Sequence, residues 1–180
     1  MHEPHVRRMT LNLRPAVPED APAICALATD AFVAAFGHLY RREDLEAFLA
    51  EERTVEVYRD HLKDPGTRIA LAEADGLLAG YALIHWPSEF GSESDAFYPL
   101  ALHQLYCAPA MTGRGTGAAL MDWALAEARA RGCDAVQLSV WSENRAAQRF
   151  YARYGFAKIA DIGFMVGSHR DEEFLLELRL

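Results

Sequence analysis

The stretch LHQLYCAPAMTGRGTGA, Leu102–Ala118, runs from a short apolar strand through a proline-marked turn into a glycine-studded loop, which opens directly on the helical run LMDWALAEARARG. Gly113, Gly115 and Gly117 let the backbone approach an anion closely. The first unpaired N–H groups of the following helix, with its dipole, point at the same spot. Such a loop is built to hold a phosphate-bearing ligand.

The neighbours of the loop separate the kinds of phosphate site. A Walker-type loop needs Lys and then Ser or Thr after its last glycine, whereas Gly117 is followed by Ala118, Ala119 and Leu120. A dinucleotide fingerprint is formally present as Gly113, Gly115 and Ala118. That motif, however, turns straight from a domain's first strand into its helix, and here Ala108–Thr112 intervene with too little chain left to complete the sheet. An ordinary glycine-rich helix start is the plain structural alternative.

Outward from the loop, the pattern alternates strands and helices. A strand is expected at Leu11–Arg14, then a helix opened by Pro18, Glu19 and Asp20 with Ile24, Leu27, Ala28, Ala31 and Phe32 on one face. Helical pieces follow at Glu43–Glu52 and Val55–Leu62, ended by Asp64, Pro65 and Gly66. Strands Arg68–Ala74 and Leu77–Trp86 flank the hairpin signal Asp75-Gly76. Pro87–Pro99 reads as a mobile loop. Beyond the glycines come a strand at Ala135–Trp141, a helix from Asn144 to Tyr154 stopped at Gly155, and a hairpin of Phe156–Val166 and Glu173–Leu180 about a turn at Gly167–Asp171.

Two separated pieces together resemble the acyl-CoA N-acyltransferase superfamily, GNAT. One is the strand Leu105, Tyr106, Cys107 with Pro109, followed by a loop of the type Q/R-x-x-G-x-G/A. The loop reads Thr112, Gly113, Arg114, Gly115, Thr116, Gly117, with Thr112 where Gln or Arg is usual. The other is LSVWSENRAAQRFYARYGF, Leu138–Phe156. The resemblance implies an α/β (α+β) fold: a mixed, mostly antiparallel sheet splayed at the cofactor strand, with helices on both faces. It also implies acetyl-CoA as co-substrate and direct acetyl transfer to an amine in a ternary complex. On the matching positions, Leu105, Tyr106, Cys107, Gly113, Arg114, Gly115, Thr116, Gly117, Ala118 and Asn144 would hold the cofactor. Tyr151 would protonate the departing thiolate, a role its phenol suits because the two pKa values are comparable. Structurally, Asn144 would cap its helix in any case, and Tyr151 shares its helix with core aromatics Phe150 and Tyr154.

Some relatives use a glutamate as base five residues before the asparagine, where this chain has Ser139. His85, Glu89, His103 or solvent are the remaining proton acceptors. Three segments, AFGHLYRREDLEAFL, VWSENRAAQRFYARYGF and IGFMVGSHRDEEFLLELRL, resemble the branch that includes polyamine N-acetyltransferases, with Glu173 where an Asp is common. Amino acids, aminoglycosides and protein N-termini are alternative acceptors, and a non-catalytic acyl-CoA sensor is the alternative class.

The chain's 180 residues fit one domain, 11–180, behind a polar tail at 1–10 expected to be flexible. Its net charge of −8 argues against nucleic acid and favours cationic small molecules. No uninterrupted apolar stretch approaches the ~20 residues that span a bilayer, so neither a membrane partner nor any location but the cytoplasm is expected. Cys25, Cys107 and Cys133 are expected to be buried thiols, and the histidines lack metal spacing, so no metal is expected. A homodimer is compatible with the sequence, though nothing in it demands one.

Overall fold

The computed structural model describes residues 10–180; most of the tail expected to be flexible, residues 1–9, lies outside them. The elements follow in the order β1 (Leu11–Pro15), α1 (Ala21–Phe36), α2 (Arg42–Glu52), α3 (Val55–Lys63), β2 (Thr67–Ala74), β3 (Leu77–His85), β4 (Pro99–Cys107), α4 (Thr116–Ala130), β5 (Ala135–Trp141), α5 (Arg145–Arg153), β6 (Ala157–Val166) and β7 (His169–Arg179). Among the described residues they form a seven-stranded sheet in the order β1-β2-β3-β4-β5-β7-β6. All pairings are antiparallel except β4 with β5. This is the mixed α/β fold with a splayed sheet that the sequence led us to expect.

Helices cover both faces because each has one apolar stripe to bury. On one face α4 lays Leu120, Met121, Ala124 and Ala128 against Ala82, Leu100, Val136 and Leu138. On the other, Ile24, Leu27 and Ala28 of α1 and Tyr58 of α3 meet Leu71, Tyr81 and Leu83. The run Pro18–Leu39 is long and apolar enough, by length and composition, to cross a membrane. It nonetheless carries Glu19, Asp20 and Asp30, and it buries Ala21, Ile24, Leu27 and Ala28 in this core.

The one parallel pairing is also the shortest but decisive one. β4 and β5 share only Pro99↔Ala135, Leu100↔Val136 and Ala101↔Gln137 before they part. Immediately beyond, β4 is bulged: Leu83 pairs with Gln104 and Ile84 with Leu102, leaving His103 as the extra residue. A bulge increases twist and bends its strand, turning the C-terminal half of β4 away from β5.

Two glycines fix what packs around the gap. Gly80 of β3 lies so close to its surroundings that a Cβ there would sit 2.7 Å from the Tyr106 carbonyl oxygen and 2.9 Å from Thr116 Cγ2. It thereby sets the start of α4 against the sheet. Gly167, at φ +58°, turns the β6–β7 hairpin directly over Asp44 of α2. There the Asp44 carboxylate accepts from the Ser168 N–H and hydroxyl, both at 2.7 Å.

Three expectations need correction. The closing turn is only Gly167 and Ser168, because His169, Arg170 and Asp171 pair with Val166, Met165 and Phe164 and so belong to β7. Pro87–Pro99, expected to be a mobile loop, ends in the first residue of β4, and its remaining part is anchored by its own polar groups. Ser88 donates to Gln137 at 2.6 Å, Ser94 to Glu177 at 2.5 Å, and the N–H groups of Phe97 and Tyr98 to the Asp134 carboxylate. Of the cysteines, Cys133 is buried, whereas Cys25 and Cys107 are half-exposed.

Two outcomes are expected. Gly80→Ala must push backbone apart, so it should cost about 1–3 kcal/mol and lower Tm by roughly 2–4 °C per kcal/mol in a domain of this size, measured by thermal unfolding. Ser168 holds the folded-state Asp44 pKa down to about 2, below its unfolded value. The Asp44 contribution is therefore present above roughly pH 4 and is lost as pH falls towards 2; Asp44→Asn should flatten that part of the stability–pH curve.

Candidate active site

Where β4 and β5 part, a cleft of about 710 Å³ opens. Leu102 to Cys107 of β4 line one side of it and Leu138 to Trp141 of β5 the other. The end towards the glycine loop is shaped by backbone. The Ala108 N–H donates to Ala79 O at 2.8 Å; by the alternation of an antiparallel ladder, the polar backbone groups of Leu105 and Cys107 then turn from β3 towards the gap. A ligand strand could pair there.

The loop after β4 reaches α4 through Gly113 at φ +74° and Gly115 at φ +84°, conformations that favour glycine. Gly115 is the N-cap, and Ala119 is the first residue to bond back to it. The N–H groups of Thr116, Gly117 and Ala118 thus form the free first turn. Arg114 lies exposed between the two glycines. Two of the expected contributions differ in kind. The Thr116 side chain is buried, with its Oγ1 lacking a partner among the described residues, so only its backbone can meet a ligand. Gly117 has no positive φ, and a Cβ there would meet only Phe150 and Cys107 at ordinary distances.

Asn144 caps α5, its side-chain oxygen accepting from the Ala147 N–H at 3.1 Å while it lines the cleft. Tyr151, two turns on, also lines the cleft, its ring edge-on to Phe150 and Phe156. Burial raises its pKa, reinforced by Tyr106 and Cys107, so the phenol stays protonated. Burial raises the Cys107 thiol too. The structure therefore brings Leu105, Tyr106, Cys107, Asn144 and Tyr151 together around one gap, with the glycine loop at its end.

The other half of the cleft is aromatic and acidic. Phe32, Phe36, Tyr40 and Phe48 come from α1, α2 and the segment between them, Trp141 from β5, and Phe164, Asp171 and Glu173 from the final hairpin. Phe36 meets Trp141 edge-on at 6.0 Å, and Phe48 meets Phe164 at 5.7 Å. The Arg53 guanidinium stacks near Phe48, Phe32 and Tyr106 at 5.0, 5.6 and 5.9 Å. It makes no ion pair among the described residues, and its Nε is buried without a partner. Tyr40 donates to Asp171, which also bonds His169.

Of the proton acceptors expected from sequence, Glu89 and His103 line the cleft, bonded to each other at 2.7 Å. Burial works to raise the Glu89 pKa, but the His103 bond and charge overcome it, leaving the carboxyl below its ordinary value. His85 sits behind, 4.6 Å from His103 ring to ring and bonded to Thr67. Its pKa is lowered by burial and by His103. Glu173 is the acidic residue that the sequence did not single out as a base: burial raises its pKa, the nearby Ser139 hydroxyl lowers it and Asp171 raises it, for a net rise.

The acetyltransferase (GNAT) family profile matches residues 24–156. An uncharacterized N-acetyltransferase of Mycobacterium tuberculosis is 31% identical over 157 residues, covering 87% of this chain and 96% of that one. The PaiA N-acetyltransferase of Thermoplasma acidophilum, solved with coenzyme A, superposes with a TM-score of 0.78 at 19% identity, over 96% of this chain and all of that one. The Salmonella typhimurium structure yncA, solved with its cofactor acetyl-CoA, gives a TM-score of 0.71 at 21% identity, over 95% and 94% of the two chains. The chain belongs to the acetyltransferase (GNAT) family and is an acetyl-CoA-dependent N-acetyltransferase.

Proposed function

We propose that the chain transfers acetyl directly from acetyl-CoA to the primary amine of a cationic small molecule, a polyamine being the leading class. One observation carries the reading: the parting of β4 and β5 after three pairs sets the free backbone edge of Leu105 and Cys107 between a phosphate-type helix start and an aromatic, acidic chamber. The pantetheine arm would add to that edge as a strand, the free N–H groups at Thr116–Ala118 would take the pyrophosphate, and a β4 N–H would hold the acetyl oxygen. Tyr151, protonated and facing the gap, would supply the proton that the leaving thiolate needs. Among the described residues no basic group acts on Cys107, and burial raises its thiol, which favours direct transfer over an acetyl-cysteine intermediate.

Four carboxylates, Glu52, Glu89, Asp171 and Glu173, line the chamber against one guanidinium. With the rings between them they suit an ammonium carried on an apolar stem. One observation favours a second acceptor class: Arg53, buried without a carboxylate partner among the described residues, would pair with the carboxylate of an amino acid.

Thiol release from acetyl-CoA is expected to be fastest with spermidine or spermine in a panel that includes amino acids, an aminoglycoside and an N-terminal peptide. If amino acids win instead, Arg53→Gln should raise their KM more than 10-fold. Coenzyme A should raise Tm and NAD should not. Tyr151→Phe should lower kcat about 100-fold while leaving the acetyl-CoA KM within about twofold, in steady-state kinetics.

A further inference from the structure

We infer that Glu173, lining the cleft from β7 on the same face as Ser139 of β5, takes the proton from the attacking amine. The inference rests on the acetyl-transfer reading above. In the β5–β7 ladder Trp141 lies opposite Glu173 and Ser139 opposite Leu175. Side chains alternate along strands, so Ser139, Trp141 and Glu173 share the face that lines the cleft.

The state of the carboxylate singles it out. Its Oε2 is buried with no partner among the described residues, while the nearby Ser139 hydroxyl acts to lower its pKa. An unpaired buried carboxylate oxygen is a cost that folding alone does not explain; an N–H donor brought in by a ligand would satisfy it. The other cleft carboxylates are differently placed. Asp171 is occupied by Tyr40 and His169, Glu89 is bonded to His103, and Glu52 is exposed to water.

The step balances without a further reagent. The neutral amine attacks the thioester carbon, the C–N bond forms, and one N–H proton passes to the Glu173 carboxylate. The C–S bond breaks with its electron pair on sulfur, which takes the Tyr151 proton. Glu173 then loses, and Tyr151 regains, one proton through solvent. Burial tunes the base upward, towards the range where a proton acceptor works at neutral pH. The titratable groups that act on it are Asp171 on its own strand and Tyr40 between α1 and α2; Arg53, Tyr106 and Tyr151 line the same cleft, and its ladder partners Trp141 and Ile162 bring no charge.

The test is the pH profile of kcat/KM for thiol release with the best amine of the panel. The wild type should show an acidic limb above the ordinary carboxylate range. Glu173→Gln should abolish that limb and lower kcat about 100-fold at neutral pH, with the acetyl-CoA KM within about twofold and activity recovering as hydroxide rises. Glu173→Asp should restore a limb. Because Ser139 lowers the Glu173 pKa, Ser139→Ala should move the limb to higher pH. A Glu173→Gln enzyme that keeps the limb, with kcat within threefold of wild type, overturns the inference. Should that variant fail to fold, as judged by the coenzyme A thermal shift, an unmoved limb in Ser139→Ala overturns it instead. A wild type that binds coenzyme A but releases thiol with no amine overturns the acetyl-transfer reading itself.

Discussion

Everything distinctive in this molecule follows from two neighbouring strands that stop pairing. An unpaired edge in the middle of a sheet would ordinarily leave backbone donors and acceptors unmet, at a cost comparable to lost hydrogen bonds. Here the edge of β4 beyond Ala101 is left open after three pairs, and the cleft lies along it. The bulge at His103 and the contact of Gly80 with Tyr106 and Thr116 hold the opening. On the proposed reading an extended ligand carrying amide groups would replace the missing strand, so the same defect in pairing that costs stability would supply binding.

The two halves of the cleft are built by different physics. The half beside the glycine loop is backbone: positive-φ glycines, a free helix turn and an open strand edge. The opposite half is side chain, with rings from α1 and α2 and acids from the last hairpin. That hairpin is locked down by Gly167 and Ser168 on Asp44. The position of Glu173 and Asp171 thus depends on a contact well outside the cleft.

The structure around the glycine loop was largely legible in the sequence because it is local. Ala135–Trp141 forms the expected strand to the residue, Asn144 caps α5 as its type demands, and Gly113 and Gly115 adopt the positive φ that their placement suggested. What stayed hidden depends on distant neighbours. Gly80 looks like any strand glycine until α4 packs on it. The Thr116 side chain turns inward for the same reason. Pro87–Tyr98 has a loop's composition, yet its serines find Gln137 and Glu177, which lie 49 and 83 positions away along the chain. Glu173 could not be linked with Ser139 before β5 was known to pair with β7. The signal available was its place in an alternating strand, two residues from Asp171 and two from Leu175.

Strand order also sets when the site comes into being. β4, its glycine loop and α4 are consecutive in the chain, whereas β5 gains its second neighbour only from β7, the last strand. A protein emerging residue by residue from the ribosome therefore carries the glycine loop and its open helix turn before the acidic wall of the cleft is made. Asp171 and Glu173 sit on β7, which follows β4, the glycine loop and α4 in the chain, so the acidic wall of the cleft is set only after the loop's backbone has been made.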